Sequence, residues 1–466
     1  MQIPILSGIY TDENSDFRTS YPVNMIPVPK STGINQGYLQ PAEGIIQFCA
    51  TDGIDRGGIN WNGVLYRVIG SKLVRVSDSG NIVIIGDVGI SGTVTFDYSF
   101  DYLAVSSNGK FFLYDGVTLA QVTDPDLGIV NSFVWIDGYF LTTDGGYIVC
   151  TDINDPFSVN PLNYGSSEAD PDPIKQLLRL RSEVYALNRY TIEVFENVGG
   201  SGFPFRRIQG AQMQRGTLGA RTACVYAESI AFLGSGRNES PAIWIGSNAD
   251  TTKISTREID IIIGKYNELE LSSVILEAMA INGHQFLYVH LKDQTLVYDV
   301  ATSQALSTPV WFILSSASVG TDIYKCRNMI FCYDKWICGD PTANRLGYLT
   351  ETVSNHYGDS VRWEFGTQII YNEGRGAIFH DVELVGLPGR VNLTDTPTIW
   401  MTYSLDGQIW SQERPIICGL QGQRDKRIKW FRCGTMRNYR MQKFYGNSDA
   451  RLSIARLEIT LEPLNA

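Results

Sequence analysis

The sequence predicts an all-β protein: a seven-bladed β-propeller with an extended N-terminal arm before it and a β-sandwich domain after it. Three observations carry that prediction. Hydrophobic residues make up 44% of the chain and charged residues only 19%, with 45 Gly and 24 Tyr, a composition that suits many short strands joined by tight turns. Pairs of strand-like runs recur seven times at a spacing typical of propeller blades. Beyond about Tyr357 that recurrence stops and alternating apolar runs take over. At 466 residues the chain exceeds one ordinary core, so two to four domains are expected unless a repeat absorbs the length, on the prior of roughly 100–200 residues per domain.

Residues 1–55 come first. The stretch "YPVNMIPVPKSTGINQGYLQPAEG" is rich in Pro, Gly, Asn and Ser, so it is expected to run as an extended, irregular arm over a surface. Residues 56–356 hold the repeated pairs: "GVLYRVIG" with "KLVRVS", "DYLAVSS" with "KFFLYD", "GYFLTTD" with "YIVCTD", "SEVYALN" with "TIEVFEN", "SIAFLGS" with "AIWIGS", "QFLYVHL" with "TLVYDV", and "KWICGD" with "RLGYLTE". The markers Leu65, Leu103, Phe140, Val184, Ile230, Phe286 and Trp336 step by 38, 37, 44, 46, 56 and 50 residues. The longest step accommodates a helical insertion near 255–280, opened by Ser255-Thr-Arg-Glu258, where the Ser oxygen is expected to cap a free N–H and the Glu to reach back. Residues 357–466, with "DVELVGL", "TIWMTYS", "IKWFRC" and "RLSIARLEITLE", read as a separate β-sandwich.

The opening "MQIPILSGIYTDENSD" lacks the basic and apolar regions of a secretory signal, and no stretch approaches the roughly 18 apolar residues that span a bilayer. A soluble product assembled in the host cytoplasm, with no membrane insertion of its own, is expected. Eight cysteines, at 49, 150, 224, 326, 332, 338, 418 and 433, are scattered through a chain large enough to have a core and are expected to be reduced and mostly buried. Asn238-Glu-Ser240 and Asn392-Leu-Thr394 match a glycosylation pattern that such a product never exposes to the secretory machinery.

Little in the sequence points to catalysis. The four histidines, His284, His290, His356 and His380, do not pair with Cys or carboxylates at metal-ligand spacing. Cys326, Cys332 and Cys338 stand six apart rather than in CxxC pairs, which argues against zinc. No nucleophile elbow, phosphate-binding loop or HExxH is present. No catalytic residue, metal or cofactor is therefore expected. "SLDGQIW", Ser404 to Trp410, falls one residue short of the Asp-box of sialidases and is read as a hairpin turn with Asp406 and Gly407 in its tight positions. In "SSEADPDP" the carboxylates Glu168, Asp170 and Asp172 alternate, but two prolines and the missing glycine argue against a calcium loop. A solvated or partner-facing loop is the better reading.

Charge is unevenly placed. The chain has 38 basic and 49 acidic residues and a net charge of −11, yet "RDKRIKWFRCGTMRNYRMQK", residues 424–443, holds eight Lys or Arg against one Asp. Basic residues beside Trp430 and Phe431 suit single-stranded nucleic acid. They equally suit an alternating strand whose aromatics enter a core while the Lys and Arg heads snorkel outward to acidic neighbours. In a chain this acidic elsewhere, contact between oppositely charged protein faces is the favoured reading.

Several stretches fall together in a familiar order: "YPVNM", "SEADPDPI" followed by "YTIEVF", "ISTREIDIIIGKY", "LVYDVATSQ" with "PVWFIL", "KWICGD", and "WFRCGTMRNYR". From about Ser20 to about Arg456 the chain resembles the packaged-DNA-stabilisation proteins of short-tailed bacteriophages, also called tail accessory or nozzle proteins. The arm before Tyr21 and the tail beyond Arg456 depart from the family pattern. The resemblance implies a structural virion tail protein built on a β-propeller, without catalytic residues. It implies a hexameric ring below the portal and its adaptor ring, which holds packaged double-stranded DNA in the head, forms part of the ejection channel, and meets tailspikes and a tail needle. Carried onto this chain, Glu168, Pro171, Asp172 and Ile174 and the group Arg432, Gly434 and Arg437 become candidates for ring or fold contacts. Arg427, Lys429 and Arg440 join them as protein-interface candidates from the basic segment.

The function expected on this basis is mechanical. A lumen studded with Lys and Arg would hold phosphates and oppose fast passage, so the DNA is enclosed without sequence-specific binding and the basic segment is expected to face another protein. The rivals are a phage tail protein that binds or degrades glycans on a propeller scaffold, which needs converging carboxylates, and a single-strand binding module.

Overall fold

The computed structural model describes every residue except Met1, Ser7, 14–15, 31–35, Ser201, 392–395, Ser448 and 465–466. The Asn392-Leu-Thr394 pattern lies outside the described residues.

Seven sheets, each of about four antiparallel strands, follow one another through residues 55–350. Six are formed by consecutive strands, within 55–87, 95–121, 132–166, 174–207, 216–253 and 275–314. The seventh combines Arg327–Cys332, Lys335–Gly339 and Arg345–Thr350 with Gly44–Ala50 from the N-terminal region. The first strands of successive sheets touch one another around a common axis, which makes each sheet a propeller blade. Every marker residue of the repeat, from Leu65 to Trp336, lies in the second strand of its blade. The apolar runs read in pairs are therefore the second and third strands, which are buried on both faces, as in Leu103–Ser107 where all five residues are buried.

The turns explain the punctuation between those runs. Asn62-Gly63, Asn108-Gly109, Asp137-Gly138 and Asn282-Gly283 all have positive φ at both positions, the geometry that matches the twist of a two-residue hairpin and that Asn-Gly and Asp-Gly adopt at least cost. Tyr333-Asp334 and Ala227-Glu228 take the same form without glycine.

Apolar packing follows the blades. Seven separate cores lie between successive blades, one for each pair. The first holds Trp61 and Val105 and the last, which closes the ring, holds Leu65 and Ile337. Among the described residues there are three short helices: Arg257–Ile263 and Glu268–Ser272 between the fifth and sixth blades, and Val300–Leu306 inside the sixth. The first buries Ile259 and Ile263 against the core between its neighbouring blades. Its cap is Thr256, one residue beyond the expected Ser255. Ser255 instead donates to Asp260 at 2.7 Å. The reciprocal cap occurs in the next helix, between Asn267 and Glu270.

The C-terminal body is a sandwich around one core. One sheet runs Met25–Pro29, Gly37–Pro41, Ser453–Pro463, Ala377–Leu387 and Ile428–Phe431. The other is built on Trp363–Gly366, Tyr439–Gly446, Thr398–Ser404 and Arg414–Ile417. Phe365 and Phe444 from this second sheet share the interior with Phe379, Val382 and Ile459 from the first. The N-terminal arm is thus extended but not irregular, because its strands complete both bodies. Between them, Asn24 is a buried staple: its backbone N–H donates to the Ile313 carbonyl, and its side-chain amide donates to Ser315 at 2.9 Å and to Arg362 at 2.6 Å. Arg451 donates to the carbonyls of Pro41, Ala42 and Val353 on the other side of the joint.

Candidate functional site

The acidic segment 168–174 links the third and fourth blades. Its carboxylates do not converge. Glu168 is exposed. Asp170 is bidentate to Arg237 at 2.6 and 2.8 Å, and that hydrogen bonding holds its pKa below the usual value. Asp172 turns inward and accepts from the backbone N–H groups of Tyr190 (2.5 Å) and Thr191 (3.1 Å) and from the Thr191 hydroxyl. Burial raises its pKa against those bonds. Pro171 precedes it, and Ile174 is buried in the core between the third and fourth blades. Tyr190 lies under two guanidiniums, Arg189 at 4.3 Å and Arg237 at 4.9 Å, and Arg189 also reaches Glu268 at 2.7 Å. The segment thus ties the fourth blade to the fifth, and Arg189 links the fourth blade to the helical insertion. Among the described residues no group of three His, Cys, Asp or Glu side chains could hold a metal ion.

The basic segment lies on the sandwich. In the strand Ile428–Phe431, Ile428 and Trp430 are buried while Lys429 and Phe431 point the other way, the alternation that a half-buried strand requires. Glu383 and Lys429 are register partners on adjacent strands. Arg427 grips Glu383 at 2.5 and 2.7 Å, and Lys429 lies 3.1 Å from Asp381. The Arg427 bonds hold the Glu383 pKa low. Burial pushes the Asp381 pKa up, but its bonds to Lys429 and Thr460 outweigh this and keep it low. Arg440 is fully enclosed, donates to the Cys433 carbonyl at 2.6 Å, and stacks on Tyr403 and Phe379 at 3.7 and 4.2 Å. Burial lowers its pKa to about 10. Arg432 takes φ 54 and Gly434 φ 81 in the sharp turn that follows the strand.

These placements divide the sequence candidates. Asp172 and Arg440 hold the fold from inside, while Arg427 and Lys429 are neutralised by carboxylates of the neighbouring strand. Glu168, Arg432 and Arg437 remain exposed. The structure does not bring the acidic and basic candidates together: one set lies between blades and the other on the sandwich. Stacking surface is scarce in the basic segment, since Trp430 is buried, Tyr439 is half-buried and Phe431 alone among its aromatics is well exposed, at 61%.

The near Asp-box is a hairpin turn. Asp406 accepts from the N–H groups of Gln408 and Ile409 at 2.9 and 2.8 Å, and Gly407 has φ 81. The histidines are likewise satisfied locally: His284 by Asp299, His290 by Glu277 and Thr295, His356 by Ser316, and His380 by Glu462. All eight cysteines are free, six of them buried.

A further charged group, missed in the sequence, surrounds one mouth of the propeller axis. Arg67 and Asp55 are paired at 3.0 Å and enclosed. Nearby, Arg221 reaches from the fifth blade to the Arg56 carbonyl of the first at 3.4 Å. It also approaches Glu277 at 3.4 Å, and Glu277 in turn lies 3.2 Å from His290. Arg327 completes the group from the seventh blade. These residues come from four blades and share no local motif, so only the propeller's closure assembles them.

Two family models match the chain in order: Bacteriophage P22 Gp10, beta-propeller, over residues 1–354, and Bacteriophage P22 Gp10, beta-sandwich, over residues 362–462. The tail hub protein gp10 of Salmonella phage P22 is 26% identical over 460 residues, 94% of each chain. Among solved structures, the WD40 domain of Neurospora crassa Pan2 aligns with TM-score 0.42 at 9% identity, covering 66% of this chain and 95% of that one. The N-terminal domain of Nup159 aligns with TM-score 0.43 at 9% identity, covering 71% and 99%.

Proposed function

The chain belongs to the Bacteriophage P22 Gp10 family, and on that premise we propose that it is the nozzle subunit of a short-tailed phage. As a family member it is a structural protein of the virion tail and not an enzyme. In the proposed role, six copies form a ring below the portal and adaptor rings. The ring closes the head after packaging, becomes part of the ejection channel, and seats the tailspikes and the tail needle.

The observation that carries this reading is the full-length match to a tail hub protein, which spans propeller and sandwich alike. Electrostatics supports it. With Arg427 and Lys429 paired inside the chain, the basic segment presents a short exposed set that includes Arg424, Lys426, Arg432 and Arg437. Such a set offers charge with little ring surface beside it, which suits contact with an acidic protein face better than a single strand. We assign Arg432 and Arg437 to that contact.

The deciding experiment is DNA retention in particles formed when the gene is disabled. Heads that fill and then release nuclease-sensitive DNA are expected. Heads that stay full, with infection stalled at the cell surface, would overturn the closure role and favour action on a host glycan.

A further inference from the structure

We propose that the mouth of the propeller axis binds a small oxyanion of the phosphate class, held by Arg221 and Arg327. The site is a cavity of about 320 Å³ whose lining includes Arg56, Thr93, Arg221, Ser273 and Arg327. These residues come from the first, fifth and seventh blades and from the segments that lead into the second and sixth. At roughly 30 Å³ for each water in the liquid, the cavity accepts a phosphate group together with several waters.

The charges around it do not cancel. Four guanidiniums, Arg56, Arg67, Arg221 and Arg327, face two carboxylates, Asp55 and Glu277. Arg67 takes Asp55 at 3.0 Å. Arg56 spends its donors on the carbonyls of Gly70, Gly89, Ser91 and Gly92. Among the described residues the Arg221 guanidinium has the two 3.4 Å contacts already given and no other hydrogen bond. Arg327 makes no ion pair among the described residues. It donates once, to the Leu291 carbonyl at 3.2 Å, and its Nε is buried without a partner. Glu277 is shared with His290, whose pKa burial lowers against the pull of the carboxylate. Two planar donor groups are thus left underused in a largely enclosed place, where an unpaired cation is costly and a counter-ion correspondingly favourable. Guanidiniums match the oxygens of a phosphate with paired, charge-assisted hydrogen bonds. Of the hydroxyls at the same wall, those of Ser272 and Ser273 already donate to the Leu269 and Glu270 carbonyls, which leaves the Thr93 hydroxyl as a further donor for an oxyanion.

Such an ion would join blades that are distant along the chain, so its binding should register as stability of the closed ring. The test is a titration of the purified full-length chain with inorganic phosphate by calorimetry and thermal melting, against chloride at equal ionic strength. Saturable binding of one phosphate per chain with a raised melting temperature is expected. Arg327→Met should weaken it by at least about tenfold, the scale of one charge-assisted contact. Glu277→Gln, which removes the competing carboxylate, should tighten it several-fold. An Arg327→Met variant that melts lower but keeps the wild-type phosphate affinity would make Arg327 merely structural and overturn its part in the site. No phosphate response beyond chloride in the wild-type chain overturns the proposal, as does a response unchanged in both variants. A response seen only with short double-stranded DNA, and not with phosphate, overturns it too.

Discussion

Arg440 is a guanidinium enclosed in the sandwich by two aromatic rings, the Cys433 carbonyl and the Gln442 side-chain oxygen, which accepts from its Nε and Nη2 at 2.8 Å, with no ion pair among the described residues. Truncation to alanine removes the stacking, leaves a cavity and orphans the Cys433 carbonyl, so Arg440→Ala should destabilise the chain by about 3 kcal/mol in denaturant unfolding. Arg432→Glu and Arg437→Glu lie on the exposed rim and should change stability little while impairing assembly of particles. Normal assembly by the double variant would remove these residues from the proposed contact. His356 tests a different term. It is buried beside Ser316 and Tyr324, and burial lowers its pKa to about 3. The unfolded imidazole takes its proton near pH 6.5. Between those values the unfolded state binds more protons, so the native state loses stability as pH falls through the window, at up to about 1.4 kcal/mol per pH unit from this group. His356→Gln should flatten that slope between pH 6 and 4, and an unchanged slope would assign the acid sensitivity to other groups.

At the scale of elements, the closing strand Gly44–Ala50 is the sharpest dependency. Gly347 sits opposite Gln47, and a Cβ there would meet the Tyr357 hydroxyl at 2.5 Å and the Ile45 side chain at 2.7 Å. Gly347→Val should therefore prise the seventh blade from its fourth strand and cost about 3 kcal/mol or more, visible as a lowered melting temperature. The same strand shows where reading the sequence stops. The apolar pairs and Asn-Gly turns are local signals, and the markers from Leu65 to Trp336 locate seven second strands correctly. The partner of Gly44–Ala50 lies about 300 residues away, and no local pattern announces it, so a strand-rich arm reads as irregular. Thr256 rather than Ser255 caps the helix because adjacent hydroxyls compete for the same role: Ser255 is taken by Asp260 within the helix, while Thr256 is also met by the distant Tyr21 hydroxyl. Likewise, the alternation of Lys429 with Trp430 is legible, whereas Asp381 and Glu383 become its partners only through sheet register. The mouth of the axis is not legible at all, since Arg56, Arg221 and Arg327 meet only when the ring closes.

On the scale of the molecule, the N-terminal strands belong to two bodies at once, and Asn24 and Arg451 pin the joint between them. We therefore propose that the division at residues 55 and 356 marks the sequence but not independent folding. Fragments 1–356 and 357–466 should each fail to give a cooperative transition, whereas the full chain melts as one unit by calorimetry. Two independent transitions that sum to the intact profile would contradict this. The shared strands also set a clock on synthesis. At roughly 5–20 residues per second, the ribosome needs about 15–60 s after making the closing strand before its partner Arg345–Thr350 exists. Ser453–Pro463, which pairs with the arm and with Gln2–Ile3, comes later still. A chain ended before Arg345–Thr350 therefore has neither body complete, and one ended before Ser453–Pro463 still lacks the sandwich, so both carry open sheet edges in place of finished surfaces. Translation itself thus screens the subunits: only chains that have made Ser453–Pro463 have the shape that the proposed ring can accept.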